Sequence, residues 1–344
     1  EEIVERLATA KHPVIYAGGG VVLAKAAGEL QKLVDHLCRP VAHSLMGKGA
    51  LPDDHPFTLG MTGFWGTQYI NDSCRNADLI LGLGSRFKEA DSSSWYPEFT
   101  FDIPKTSLIQ IDIEPSEIGR NYPVEIGVVA DLKQALEVLY SVAKAKYPQG
   151  IQRQELKDEI AGIRKDFKQA NVEMEQSDAF PMMPERILAE LREVLPRDAI
   201  ITTDVGWNKN GVGQQFPIYE PGSILIPGGY ATMGFGGPAA IGAKIAAPDK
   251  VVLALIGDGG FGQNPALLAT AKHEGIAVIW LIMNNNAFGT IAGLEKAHYG
   301  TTFGTVFKKG DESTSPDYAA IARAYGIEGI TINSAEEFKP AVAK

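Results

Sequence analysis

Residues 251–289 read VVLALIGDGGFGQNPALLATAKHEGIAVIWLIMNNNAFG. Two apolar, β-branched runs, 251–256 and 277–283, flank a helical stretch over 265–273. This strand–helix–strand order predicts a parallel pair joined by a right-handed crossover, its strands side by side about 4.8 Å apart. The first run stops at Gly257-Asp258-Gly259 and the second at Asn284-Asn285-Asn286. Asp258 and Asn285 then emerge together at the carboxyl edge, where open α/β sheets bind ligands. Either tripeptide alone reads as a tight turn or a polar loop; the two at the ends of successive strands read as a site. A carboxylate, an amide oxygen and a nearby main-chain carbonyl suit a hard cation such as Mg²⁺, with phosphate oxygens completing the octahedron. Gly259, Gly260 and Gly262 let backbone approach a phosphate, and the N-terminus of the following helix favours negative charge.

Outward from this stretch, short apolar runs alternate with helical patterns. Strands are predicted over 13–17, 41–44, 78–84, 107–113 and 127–130, with helices over 22–37, 67–76 and 132–144. Residues 151–180 are charged and lack long β-runs, which predicts one exposed helix and a linker. A fresh α/β pattern follows: a helix over 184–194, a strand over 199–205, and a last unit over 317–325 and 329–332 ending in a helix over 336–342. Alternating strands and helices give an α/β fold class, two doubly wound parallel-sheet domains over 1–150 and 181–344, joined by 151–180.

The chain has 344 residues, enough for two cores, and its 45% hydrophobic and 22% charged content is that of a globular protein. A net charge of −10 argues against nucleic acid or an anionic membrane as partner. It does not argue against an anionic cofactor, which backbone amides and a metal can hold locally. Two cysteines, Cys38 and Cys74, make no disulfide framework and point to a reducing, cytoplasmic setting. No apolar run reaches about 18 residues. The opening EEIVERLATA reads as an amphipathic helix rather than a signal peptide.

The segment GDG, some thirty residues, then a double Asn resembles the signature of thiamine-diphosphate-dependent enzymes. Upstream, GGYATMGFGGPAAIGAKIAAPDK (228–250) is similar to the acetolactate-synthase pattern GGxGTMGFGxPAAIGA. The resemblance covers essentially the whole chain. It implies a Rossmann-like central domain followed by the pyrophosphate-binding, thiamine-diphosphate fold. Residue by residue, it implies that Asp258, Asn285 and the main-chain carbonyl of Ala287 hold Mg²⁺. Met233 falls where the family places a large apolar wedge that bends the cofactor into a V, and the carbonyl of Ala231 would bond the aminopyrimidine. In DVGWNKNGVG (204–213), Trp207 and Asn208 fall at diphosphate contacts. Gly257, Gly259, Gly260 and Phe288 complete the cofactor-binding set.

The family's activating glutamate belongs to a separate pyrimidine-binding domain, so no residue here is expected in that role. The expectation is a piece of a longer protein, ending before the domain's usual last strand and inactive alone, or else a chain whose missing domain another polypeptide supplies. The family also implies a homodimer or homotetramer, with the Gly- and Ala-rich helix surface over 234–247 suited to close packing between subunits. ALPDDHPFTLGMTGFWGT (50–67) and LIQIDIEPSEIGRNYPVEIGVVADLKQAL (108–136) resemble segments that surround FAD in acetolactate synthases, or ADP in coenzyme A-using relatives. Gly18–Gly20, Gly63, Arg86, Asp112 and Asp131 then become nucleotide candidates, although AGGG and GLGS are no complete GxGxxG turn. A domain with no nucleotide stays open. His43, just after a strand, could face a cleft or simply pack, and the six histidines show no metal-ligand spacing.

Departures limit the substrate. Trp207-Asn208 replaces Gln-His, Trp65 replaces the His of GMHG, and Gly293-Leu294 stands where acetolactate synthases carry Gln-Trp at the acceptor pocket. The resemblance thus implies a transferase or lyase acting on a 2-oxo acid, acetolactate-synthase-like carboligation first. A 2-oxo-acid decarboxylase, a 2-hydroxyacyl-CoA lyase and a non-catalytic nucleotide-binding relative are the alternatives. A nicotinamide dehydrogenase would need a GxGxxG turn after the first strand, which AGGGVVLA does not provide.

Overall fold

The computed structural model describes residues 1–310 and 312–344. The chain divides into two compact units, Glu1–Ala170 with Pro217–Gly222, and Asn171–Phe216 with Ser223–Lys344.

The first unit opens with α1 (Glu2–Thr9), β1 (Pro13–Ala17), α2 (Gly19–Leu23), α3 (Ala27–Leu37), β2 (Val41–His43), β3 (Thr58–Met61), α4 (Gln68–Arg75), β4 (Leu79–Leu83) and α5 (Glu89–Ser92). It continues with β5 (Ser107–Asp112), β6 (Ile126–Val129), α6 (Leu132–Lys146) and α7 (Gln154–Glu175). The sheet order is β3-β2-β1-β4-β5-β6, and every pairing is parallel. This is a doubly wound sheet whose strand order reverses between β1 and β4. Helices cover both faces, so β1 and β4 are buried at every position and read as unbroken apolar runs. On one face α3 contributes Leu30, Leu33, Val34 and Leu37 at helical spacing to a core completed by Leu132, Leu136 and Leu139 of α6. On the other, Tyr16, Phe87, Phe101 and Tyr122 pack ring on ring, with centroids 5.1 to 6.0 Å apart.

Two expectations need correction here. β3 has no counterpart among the predicted strands, because it is a four-residue edge whose Gly60 takes φ +130°, and its register with β2 slips between Val41 and Ala42. The charged helix α7 is not simply exposed: Ile160 is buried in the first core, and the Arg164 guanidinium donates to the carbonyls of His55 and Thr58, both at 2.5 Å. One apolar side chain per few turns is enough to dock a helix that reads as solvated by charge count.

The second unit contains α8 (Pro184–Val194), β7 (Ile200–Thr203), α9 (Trp207–Gln215), β8 (Ile224–Leu225), α10 (Gly236–Ala246), β9 (Val252–Gly257) and α11 (Asp258–Phe261). After them come α12 (Leu267–His273), β10 (Ile279–Met283), α13 (Gly289–Tyr299), α14 (Tyr318–Ala324) and α15 (Phe338–Ala343). Its parallel sheet has the order β10-β9-β7-β8, which reverses between β7 and β9. Val252, Ala254 and Ile256 alternate along β9 into a core with Ala240 and Ala243 of α10 and Leu267 and Leu268 of α12. In the last unit, residues 329–332 join no ladder: they have no strand partner among the described residues, and Gly329 is wedged against the Ala319 backbone.

Candidate functional site

The register of β9 and β10 fixes the site. Ile282 pairs with Ile256 and Met283 with Gly257, so the two strands end level with each other. Asp258 therefore leaves β9 beside the point where Asn284 and Asn285 leave β10. Asp258 is buried to 1% exposure, whereas Asn285 is exposed. The Gly-rich run folds as one helical turn, α11, closed by the Gly262 amide on the Asp258 carbonyl at 2.9 Å. The Tyr318 hydroxyl of α14 donates to the same carbonyl at 3.2 Å, and its ring lies edge-on to Phe261.

Burial pushes the Asp258 carboxyl above the usual carboxylate range, against the opposing pull of the amides of Gly259, Asp258, Ala287 and Asn286. Its Oδ2 has no hydrogen-bond partner among the described residues. A buried carboxylate oxygen left without a donor costs roughly 1 to 3 kcal/mol, and its chemistry fits a cation as partner.

The turn after β10 is held from two sides. Asn284 Oδ1 accepts from Asn286 N at 3.2 Å and Asn285 Oδ1 from Ala287 N at 3.1 Å, so each Asn side chain braces its own turn. A strap over 305–307 crosses it: Phe288 N donates to the Thr305 carbonyl and Phe307 N to the Asn286 carbonyl, at 2.9 and 2.7 Å. These two bonds grip the peptides on either side of Ala287 and make no use of its own carbonyl. Asn286 sits at φ +55°, a left-handed conformation that Asn tolerates better than most residues.

Met233 and Phe288 converge on Gly259. A Cβ built there would lie 2.7 Å from the Phe288 ring and 3.2 Å from Met233 Cε. Met233 is half-buried and lies outside the α10–β9 core. Ala231, two residues earlier, takes φ +49° in a turn whose amide bonds the Gly228 carbonyl at 3.3 Å. A Cβ on Gly257 would meet open space, which leaves the mouth of β9 clear.

Two matches frame this geometry. Residues 1–139 match the model described as "Thiamine pyrophosphate enzyme, central domain", and residues 204–344 match "Thiamine pyrophosphate enzyme, C-terminal TPP binding domain". The chain belongs to the thiamine pyrophosphate enzymes. It is 36% identical to a "Probable acetolactate synthase large subunit" of Methanocaldococcus jannaschii, over 97% of this chain and 55% of that protein. Identity is 34% to the corresponding protein of Methanococcus aeolicus, over 99% and 57%. To an "Acetolactate synthase large subunit" of Corynebacterium glutamicum it is 30%, over 100% and 54%. The chain spans about half the length of the curated relatives it matches.

The donor set suits a hard cation. Among the described residues no three His, Cys, Asp or Glu side chains cluster as a metal site; the candidates Asp258, Asn285 and Ala287 offer one carboxylate, one amide and one main-chain carbonyl. Such a set leaves room for phosphate oxygens, as a magnesium site requires. Trp207 and Asn208 behave differently from the rest. The Trp207 ring folds back over Gly211 of its own helix, and the buried Asn208 donates its amide to the Leu255 carbonyl at 3.0 Å. Asn208 thus braces β9 instead of standing free at its edge.

In the first unit, each nucleotide candidate has an internal duty. A Cβ on Gly18 would lie 2.2 Å from the Gly84 carbonyl oxygen, and one on Gly20 would lie 2.7 Å from Gly84 Cα, so these glycines let α2 close against the end of β4. A Cβ on Gly63 would meet the Ala90 carbonyl at 2.2 Å. Asp131 caps α6 through Gln134 N, Asp112 accepts from Glu114 N, and the exposed Arg86 approaches Glu117 at 3.9 Å. His43 is buried, its Nδ1 bonded to the Ser44 carbonyl. Cys38 and Cys74 are free and buried, and no described helix is long and apolar enough to cross a membrane.

Sequence reasoning passed over Asp204, fully buried at the end of β7. Its signal was available: an Asp-Val-Gly placed, like Asp258, directly after an apolar strand.

Proposed function

We propose that this chain grips the diphosphate and Mg²⁺ of thiamine diphosphate. The enzyme it serves makes or breaks a C–C bond beside the carbonyl of a 2-oxo acid, with acetolactate-synthase-like carboligation the leading reaction. The observation that carries this reading is Asp258, a buried carboxyl with an unpartnered oxygen beside Asn285 at the carboxyl edge of β9 and β10. Asp258, Asn285 and the Ala287 carbonyl would hold the cation. The turn over 257–260 would face the diphosphate, and Met233 with Phe288 would line the space beside it. When bound, thiamine diphosphate would supply a thiazolium carbon that, once deprotonated, is the nucleophile toward a carbonyl. The side chains of this unit bind, orient and exclude water around it; none is assigned to proton removal. The full-length protein is proposed as a dimer or tetramer. A flavin or ADP is left out of the proposal, because the glycines and carboxylates that suggested it are explained by packing and capping.

One observation favours a different acceptor. Gly293-Leu294 stands where the acetolactate-synthase pattern has Gln-Trp. This supports a decarboxylase or hydroxyacyl-CoA lyase as second reading. Calorimetry on the full-length protein with thiamine diphosphate, with and without Mg²⁺, tests the first statement, and product analysis from pyruvate separates the two reactions. Cofactor binding indifferent to Mg²⁺, or unaffected by Asp258→Ala, overturns the proposal.

A further inference from the structure

Asp204 ends β7 at the point where the strand order of the second sheet reverses, and its amide extends the ladder to the Leu255 carbonyl at 3.3 Å. Its side chain is fully buried and accepts three backbone amides. Oδ1 takes Val205 N at 2.8 Å and Gly234 N at 3.1 Å, while Oδ2 takes Gly236 N at 2.8 Å. Gly234 directly follows Met233. The Gly236 peptide is gripped at its other end too, where its carbonyl accepts from Thr202 Oγ1 at 2.7 Å. On its far side the same carboxyl meets the glycine turn: a Cβ on Gly260 would lie 2.7 Å from Asp204 Cγ and Oδ1. One side chain therefore touches the loop that carries Met233 and the turn that follows Asp258.

We infer that Asp204 is a positioning residue that sets Met233 and the turn over 258–260 in register with each other. The inference rests on the proposed thiamine-diphosphate reading for what that register serves. An ionised carboxylate is an acceptor at every lone pair, which matches three converging N–H groups. An amide of the same size is not equivalent: Asn would turn an NH₂ donor toward one of those donors and open the loop. Gly234, at φ +85°, has its own conformational freedom, so without the clamp the segment keeps the Thr202–Gly236 bond but loses the one that fixes Gly234.

The test is Asp204→Asn in the full-length enzyme, read by amide hydrogen exchange, by thermal unfolding and by steady-state kinetics. Exchange at Gly234 and Gly236 should accelerate by about tenfold or more, with the melting transition still cooperative. We expect kcat to fall by about tenfold or more and the KM for thiamine diphosphate to move less, because displacement of a positioned group acts chiefly on the reactive geometry. Combined with Met233→Ala, the double variant should lose no more than the worse single variant, since both remove the same placement. A residue that merely supports the fold would give additive losses. Should Asp204→Asn fail to fold, Gly260→Ala carries the test: its methyl would meet the Asp204 carboxyl at 2.7 Å and so loosen the Gly234 and Gly236 amides that this carboxyl holds. Unchanged exchange at those amides in either variant, or additive kinetics, overturns the inference. A wild-type protein that binds no thiamine diphosphate would refute the proposed function alone, with the exchange result still readable.

Discussion

Asp258 and Asn285 stand one and two residues beyond the last ladder pair, Gly257 with Met283, of two adjacent parallel strands. One side chain is buried and the other exposed, so a cation bound between them would be fixed from the core side and open to ligands from outside. The buried partner carries the energetic signature of a carboxyl oxygen with no hydrogen-bond partner among the described residues.

That signature makes a prediction about pH. A carboxyl whose folded pKa is raised is unfavourable in the folded state when ionised. The penalty is absent below its ordinary value of 3.8 and grows to its full size as pH rises through the raised folded value. Metal-free Asp258→Asn should therefore be more stable than wild type at pH 7, by about 1 kcal/mol, and the advantage should shrink toward pH 4. With thiamine diphosphate and Mg²⁺ at a hundred times the dissociation constant, wild type should gain about 2.7 kcal/mol and the variant most of nothing. Thermal unfolding measures both arms, and an equal gain in the two proteins would falsify the metal assignment.

His43 offers an independent pH probe in the first unit. Burial, reinforced by the Lys48 charge and opposed by Asp53 and by the bond to the Ser44 carbonyl, pushes its imidazole down to about 4. Unfolded His takes up its proton near 6.5, so protonation favours the unfolded chain between those values. Stability contributed by neutral His43 is complete above pH 6.5 and is lost as pH falls to about 4, on the order of 3 kcal/mol in all. His43→Leu should flatten that part of the stability curve. A wild-type curve already flat between pH 6.5 and 4 would show that the imidazole is protonated in the fold.

Gly18→Ala separates packing from ligand binding. The added methyl would meet the Gly84 carbonyl oxygen at 2.2 Å, backbone against backbone, so β1 and β4 must shift apart. The expected loss is about 2 kcal/mol or more, seen in urea unfolding of the first unit. An alanine variant of normal stability that had lost only affinity for a nucleotide would restore the flavin or ADP reading.

The parts of the fold visible in the sequence were those in which one physical signal dominates. β1, β4 and β9 are buried on both faces and read as unbroken apolar runs, and Asp258 with Asn285 stood at the ends of such runs. What escaped was set by partners distant in sequence. β3 exists because β2 offers it a ladder, α7 docks through Ile160 against a core built more than a hundred residues earlier in part, and 329–332 has no neighbouring strand among the described residues. Asn208 had the residue type of a diphosphate ligand, yet the Leu255 carbonyl takes its amide. Asp204 stands after an apolar strand as Asp258 does, but its partners are backbone amides, which carry no residue-type signal.

Met233 gives the most direct test of the second unit. Its Cε lies 3.2 Å from the place a Cβ would occupy on Gly259, and the Phe288 ring lies 2.7 Å from the same place. It is half-buried and stands clear of the α10–β9 core, so truncation should leave the sheet packing intact. A flexible thioether can fill an irregular gap between a glycine turn and a bound ring, and Ala cannot. Met233→Ala in the full-length enzyme should therefore keep the grip of Asp258 and Asn285 on the diphosphate, shifting cofactor affinity by less than about fivefold, while turnover falls by about a hundredfold. Met233→Leu, close in volume, should recover most of the rate. Stopped-flow turnover with calorimetry of cofactor binding distinguishes these terms. If both constants fall together, Met233 serves binding as a whole; if neither moves, the space beside Gly259 is not where the reacting part of the cofactor lies.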